Sequence, residues 1–188
     1  MWGLGWGVLL AGLSLLAAAP ALAAAFTDPA TGFAVEPPKS FTVRPVKSPT
    51  YDIAVRINSL TGTPPLGPGT NYLCQIGYKA APANAALSQE EINLSVQRPE
   101  WVENVAAALS RSFDITGKGT FWLDGATGVE LVGTPKDMTA ASAIFISLID
   151  TPTGRTTLNC ATRPDAMAAA LNVFRLIRAG ITLPTDPR

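Results

Sequence analysis

The chain of 188 residues contains no histidine. That absence removes Ser-His-Asp and Cys-His nucleophile systems, together with the usual zinc sites. Only two cysteines are present, Cys74 and Cys160, too few to replace the missing metal ligands. An excess of charge is lacking too, since Lys+Arg and Asp+Glu number 14 each. Zero net charge argues against a nucleic-acid partner, which calls for a basic patch, and no run of like charges reads as an electrostatic tail. No cofactor motif is found. The stretch "TGKGT" (Thr116–Thr120) resembles a phosphate loop, but that pattern needs Ser or Thr after the lysine, and Gly119 follows Lys118. It reads as a turn.

Charge is missing altogether from the first 25 residues; the first charged side chain is Asp28. From Val8 to Ala19 lie 12 apolar or small residues, the length of a signal-peptide core, whereas a membrane span wants about 20. Pro20 stops the run. Ala21-Leu22-Ala23 and Ala23-Ala24-Ala25 then offer small residues at signal-peptidase spacing. Residues 1–25 read as a signal peptide cut after Ala23 or Ala25. The alternative is an uncleaved anchor, because Lys and Arg are absent from the start. No cysteine follows at a lipoprotein position. The expectation is a periplasmic or secreted protein with no membrane span after cleavage. Removing 25 of 188 residues leaves 163, enough for one domain over 26–188 with a real core.

In an oxidising compartment an even cysteine count points to pairing. One intramolecular bridge is available, Cys74 to Cys160. In "NYLCQIGYKA" (71–80), Tyr72, Cys74, Ile76 and Tyr78 alternate onto one face; in "TTLNCA", Leu158 shares a face with Cys160. Neighbouring strands would bring the Cα atoms to about 5.5 Å. Two buried free thiols are the alternative. A redox pair lacks the C-x-x-C spacing that depresses a thiol pKa.

The rest of the chain alternates between strand and turn signals, with helices in the middle and at the end. Phe33 and Val35 begin a strand stopped by Pro37-Pro38. Phe41–Val46 is confined to an edge or a strand end by Pro45. "YDIAVRINSL" places Tyr51, Ile53, Val55 and Ile57 on one face. Thr61–Thr70, with three prolines and three glycines, is a loop too long for a tight hairpin. Ser88 with Glu91 is a capping box opening a helix over "QEEINLSV". Pro99 suits the first position of the next helix. There Trp101, Val105, Ala108 and Leu109 fall at helical spacing, so Trp101 reads as core ahead of a stacking residue. Ala143 to Ile149 is apolar apart from Ser147 and reads as a central strand covered on both faces. The last helix, Ala166 to Ala179, carries Met167, Leu171, Phe174 and Arg178 on one stripe and ends at Gly180. Arg175 and Arg178 suit its dipole. Together these predict an α+β domain.

The early "TGFAVEPP", the central helix, "DGATGVELVG" and a last helix ending "FRLIRAGITLP" resemble the PsbP-like fold family in their order. The likeness spans Phe33 to Pro184. It implies an α/β/α sandwich around a central, mostly antiparallel sheet. It implies a binding or accessory role ahead of catalysis, and no functional residue is carried over by it. Metal binding through histidines, linked to photosystem members of the family, is not supported here.

Two function classes follow. The first is a non-catalytic, exported binding or accessory protein that docks to a protein or envelope component and needs no cofactor. Its candidate contacts are Pro64, Pro65 and Leu66 of the long loop and the Phe121-Trp122 pair. A plain surface loop and two packed aromatics are the structural alternative. The second is a hydrolase of envelope sugars working with carboxylates alone, drawn from Asp114, Asp124, Glu130 and Asp150, which would need two of them about 5–10 Å apart.

Overall fold

The computed structural model describes residues 25–137 and 142–185. The signal-peptide expectation therefore falls outside the described residues, apart from Ala25. Among the described residues ten strands are present: β1 Phe26–Thr27, β2 Ala34–Val35, β3 Phe41–Pro45, β4 Ile53–Ser59, β5 Cys74–Ala80, β6 Phe113–Leu123, β7 Ala126–Pro135, β8 Ala143–Thr151, β9 Gly154–Thr162 and β10 Ile181–Thr182. The helices are α1 Gln89–Val96, α2 Pro99–Leu109 and α3 Met167–Ala179, with 3₁₀ turns at Pro82–Ala86 and Pro164–Ala166.

Seven strands form one antiparallel sheet in the order β3-β4-β5-β9-β8-β7-β6. The α+β expectation holds. Pro45 ends an edge strand, where its missing N–H costs no ladder bond. The apolar run of β8 lies inside the sheet, between β9 and β7. Its odd-numbered residues Phe145 and Ile149 join the core under α3, while Ile146 and Leu148 face α2. A second, three-stranded sheet β1-β2-β10 ties the two ends of the described chain together beside the core cluster.

Several local readings are corrected. "TGKGT" is no turn. It lies inside the continuous strand β6, where the register slips by one residue between Ile115 and Gly117. The extra residue, Thr116, is absorbed as a bulge, and Gly117 and Gly119 keep their partners Val132 and Glu130. The turn comes later, at Asp124 and Gly125, both at positive φ (48° and 81°), as a two-residue hairpin of type I′ requires. Gly180 does close α3, but at φ −88°, so left-handed freedom is not its role. A Cβ there would meet the Glu36 carbonyl oxygen at 2.0 Å; the glycine lets α3 end against β2, where Glu36 N–H donates to Gly180 O at 2.7 Å.

Cys74 and Cys160 are bonded to each other and are cross-strand partners of β5 and β9, with Cα atoms 4.0 Å apart. Ala161 N–H donates to Leu73 O beside them, which marks a non-hydrogen-bonded pair, the narrower site of an antiparallel ladder. Both cysteines are fully buried in the core with Phe145, Leu158 and Phe174. The capping box is present as expected: Ser88 Oγ accepts Glu91 N–H at 3.2 Å, and Ser88 N–H donates to the Glu91 carboxylate at 2.8 Å. The hydrogen bonds that Ser88 N–H and, second, Ser88 Oγ donate to the carboxylate hold the Glu91 carboxyl below its usual pKa.

Candidate functional site

The two faces of the large sheet are covered unequally. On one, α3 and the small sheet bury a continuous apolar cluster that runs from β3 to β8. On the other, α1 and α2 pack over β6, β7 and β8 only. The residues of β3, β4, β5 and β9 that point to this second side include Arg44, Arg56, Gln75, Lys79, Arg155 and Asn159, all exposed or half-exposed. Strand alternation puts them there, since their neighbours Val43, Val55, Ile57, Ile76 and Leu158 are buried in the core.

Where α2 meets this open half a groove of about 880 Å³ is formed. Its helix wall is Trp101, Asn104, Val105 and Leu109; its floor is Ile146, Leu148, Thr157 and Asn159. At one end Arg155 grips Asp150 in a two-point ion pair, 2.7 and 2.8 Å. That hydrogen bond raises the Arg155 pKa further, with burial opposing it. The guanidinium also lies 6.0 Å from the Trp101 ring centre, at the reach of a cation–π contact. Trp101 is thus only half-buried. It packs against the cluster of Ile92, Val96, Ala106, Val129 and Leu131 and at the same time lines the groove, so the core reading covers only part of the side chain.

Two tyrosines also leave their expected faces. Tyr51 precedes β4, and its ring covers Gly77 on the open side, where a Cβ would approach ring carbons at 2.3 Å. Tyr72 precedes β5 and stacks with Arg56 at 4.5 Å. Leu73 takes the buried place beside Cys74, its N–H donating to Ile57 O and Asn58 Oδ1. Period-two alternation holds only while the strand is regular, and both tyrosines stand just outside one.

The candidate contacts named from sequence are not brought together. Pro64 is buried, Pro65 half-buried and Leu66 is 43 % exposed. Their loop is pinned by Ser59 Oγ, which accepts Thr61 and Thr63 N–H, and by Thr162 Oγ1 donating to Pro65 O. Phe121 and Trp122 lie at the far edge, near the β6–β7 turn. Phe121 sits against Gly128 with the Arg178 guanidinium 3.7 Å above its ring. Trp122, 64 % exposed, points to the opposite face.

The four candidate carboxylates are separated as well. Glu130 faces α3, where Arg175 and Arg178 both bind it at 2.5 Å. Burial pushes its carboxyl up, but these hydrogen bonds outweigh that and hold its pKa below the usual range. Arg178 is itself depressed, chiefly by burial. Asp150 points to the opposite face, into the groove. Asp114 is exposed near Lys136 (3.8 Å) at the start of β6. Asp124 stands past the other end of β6, where it accepts Leu183 N–H at 3.3 Å. Among the described residues no helix is long and apolar enough to cross a membrane, and no cluster of His, Cys, Asp and Glu could hold a metal ion.

No protein-family model matches the chain, and no curated protein sequence does. Solved structures do. The solution structure of the cyanobacterial PsbP protein, CyanoP, from Synechocystis sp. PCC 6803 superposes with a TM-score of 0.53 at 12 % identity, over 93 % of this chain and 98 % of that one. The crystal structure of LpqN of Mycobacterium tuberculosis, described as involved in cell envelope biogenesis, gives 0.51 at 12 % identity, over 84 % and 87 %. The chain has a PsbP-like fold.

Proposed function

We propose that the chain is an exported, non-catalytic binding or accessory module and that its contact surface is the open half of the sheet beside α2. The observation that carries this reading is the unequal cover of the sheet. One face is sealed by α3, while the other leaves a groove walled by Trp101 and floored by Ile146, Leu148, Thr157 and Asn159. Fold alone does not assign function, so the argument rests on that surface. In this reading residues 1–25 direct export and are removed, and residues 26–188 act as one domain. The buried Cys74–Cys160 bond suits an oxidising compartment. The involvement of LpqN in cell envelope biogenesis agrees with an envelope or periplasmic partner here. Carboxylate hydrolysis is the weaker reading, because Glu130 and Asp150 stand on opposite faces and each is held by arginine.

The test is site-specific photocrosslinking of the exported protein in its native cells. Probes at Asn104 and Asn159, in the groove, should give adducts, and probes at Leu66 and Trp122 should not. Adducts from Leu66 or Trp122 alone would move the contact surface to the loop or the far edge. Amino-terminal sequencing of the same protein should begin at Ala24 or Phe26; a start at Met1 would favour the retained anchor.

A further inference from the structure

We propose that the open half-face binds an acidic glycan, a sugar chain bearing carboxylates; this rests on the binding role just described and names the ligand class. The starting observation is a conflict between the face and its own stability. Arg44 on β3 lies directly opposite Arg56 on β4, and Lys79 on β5 directly opposite Arg155 on β9. Like charges facing each other across an antiparallel pair are destabilising. Two such pairs occur on one face of a chain with zero net charge. Asp150 is the sole acidic residue lining the groove, and Arg155 already engages it. Arg56 Nε is buried without a hydrogen-bond partner. A local rule broken twice on the same surface is the mark of a site shaped for something other than folding.

The register turns this charge into a track. Arg44, Arg56, Gln75 and Asn159 are successive cross-strand partners, followed by Ile146 on β8. At about 4.8 Å per strand the four span about 14 Å, and the last of them lies in the groove beside Trp101 and Val105. Guanidinium groups recognise carboxylates through paired N–H donors. Amide side chains such as Gln75 and Asn159 both donate to and accept from hydroxyls. The rings of Tyr51 and Trp101 provide flat apolar surfaces for the C–H faces of sugar rings. An acidic polypeptide fits less well, since a protein interface centres on apolar contact, whereas here Trp101, Val105, Leu109, Ile146 and Leu148 line only the α2 end and the arginines stand at the other end of the track. The large exposed apolar side chains, Leu60, Leu66, Leu87, Leu94, Trp122 and Leu176, are all absent from the groove and the track.

The experiment is calorimetric titration of the mature protein with a galacturonate pentamer. The carboxyl-reduced pentamer and a glutamate pentamer serve as comparators. Saturable binding that weakens as salt is raised is expected, with no binding of the neutral sugar and at least about tenfold weaker binding of the peptide. Arg56→Gln and the exposed Asn159→Ala should each weaken binding by about tenfold, with thermal unfolding recorded to show that both fold. Arg163→Gln, on the approach to α3, should leave it unchanged. Absence of saturable binding, equal binding of the glutamate pentamer, or indifference to both track variants would overturn the proposal. If the sugar fails while crosslinks still arise from Asn104 and Asn159, the groove remains the contact surface and only the glycan assignment falls; if both fail, both readings fall.

Discussion

The two faces of the central sheet share the same seven strands and differ in what was laid over them. Under α3 the strands present Phe145, Leu158, Ile76 and the Cys74–Cys160 bond to Phe174 and Ile177, all fully or nearly fully buried. On the other face α1 and α2 cover three strands, and the remainder meets solvent through arginine, lysine and amides. The first face is where stability resides, because apolar area leaves water there. The second carries two facing pairs of like charges and, at Arg56 Nε, a buried donor without a partner. Substitution should therefore separate them cleanly.

The largest loss is expected at Phe174. Its ring is fully buried and lies 5.7 Å from that of Phe145. Phe174→Ala should cost about 3–5 kcal/mol in denaturant unfolding. If that variant kept wild-type stability, α3 would not be the lid of the core and the comparison would collapse.

The bridge comes next. Its cysteines are 86 residues apart in sequence. Replacing both with Ala should lower stability by about 2–4 kcal/mol, read as a fall in the denaturant midpoint. Denatured native protein should show no titratable thiol; two thiols would contradict the bond.

Glu130→Gln should follow, at about 1–3 kcal/mol, because it leaves the partly buried Arg178 without its counter-charge. The pH dependence has a definite sign. Glu130 is held below its unfolded value, so its contribution is present above the unfolded pKa of about 4.3 and is lost as pH falls through the folded value. Wild type and variant should converge on acidification in thermal melts. A gap that stayed constant into acid would place the loss in packing instead.

The smallest effect is also the most discriminating, because its sign is reversed. Arg44→Gln relieves the repulsion with Arg56 and should raise stability by about 0.2–1 kcal/mol. A clear loss would show that Arg44 supports the fold, and the contrast between a stabilising face and a binding face would weaken.

Much of the covered face was legible in the sequence. Alternation named Val55, Ile57, Ile76 and Leu158, and the helical stripe named Met167 and Phe174; each is buried together with the others. The cysteine pair and the capping box were legible for the same reason, since their signals are short-range or unique. The open face was not. Arg44, Arg56 and Lys79 lie on the consecutive strands β3, β4 and β5 and Arg155 on the late strand β9, and a net charge of zero conceals their meeting. Periodicity alone places Trp101, Tyr51 and Tyr72 on the stripes of their neighbours, yet Trp101 and Tyr51 line the groove and Tyr72, just outside β5, stacks on Arg56. Arg175 and Arg178 were assigned to the helix dipole, whereas Glu130, 45 and 48 residues away, claims both.

By itself the sequence determined what depends on near neighbours and on composition: strand and helix periods, the caps, the only possible disulfide, and the absence of histidine chemistry. Tertiary structure decided how far α1 and α2 reach across the sheet, and hence which polar side chains are left open. That choice depends on strand order, β3-β4-β5-β9-β8-β7-β6, which inserts the late strand β9 beside β5. Hydrogen-bonded pairing between residues 74–80 and 154–160 is a long-range event that no local pattern encodes, and it is this pairing that sets Arg155 opposite Lys79.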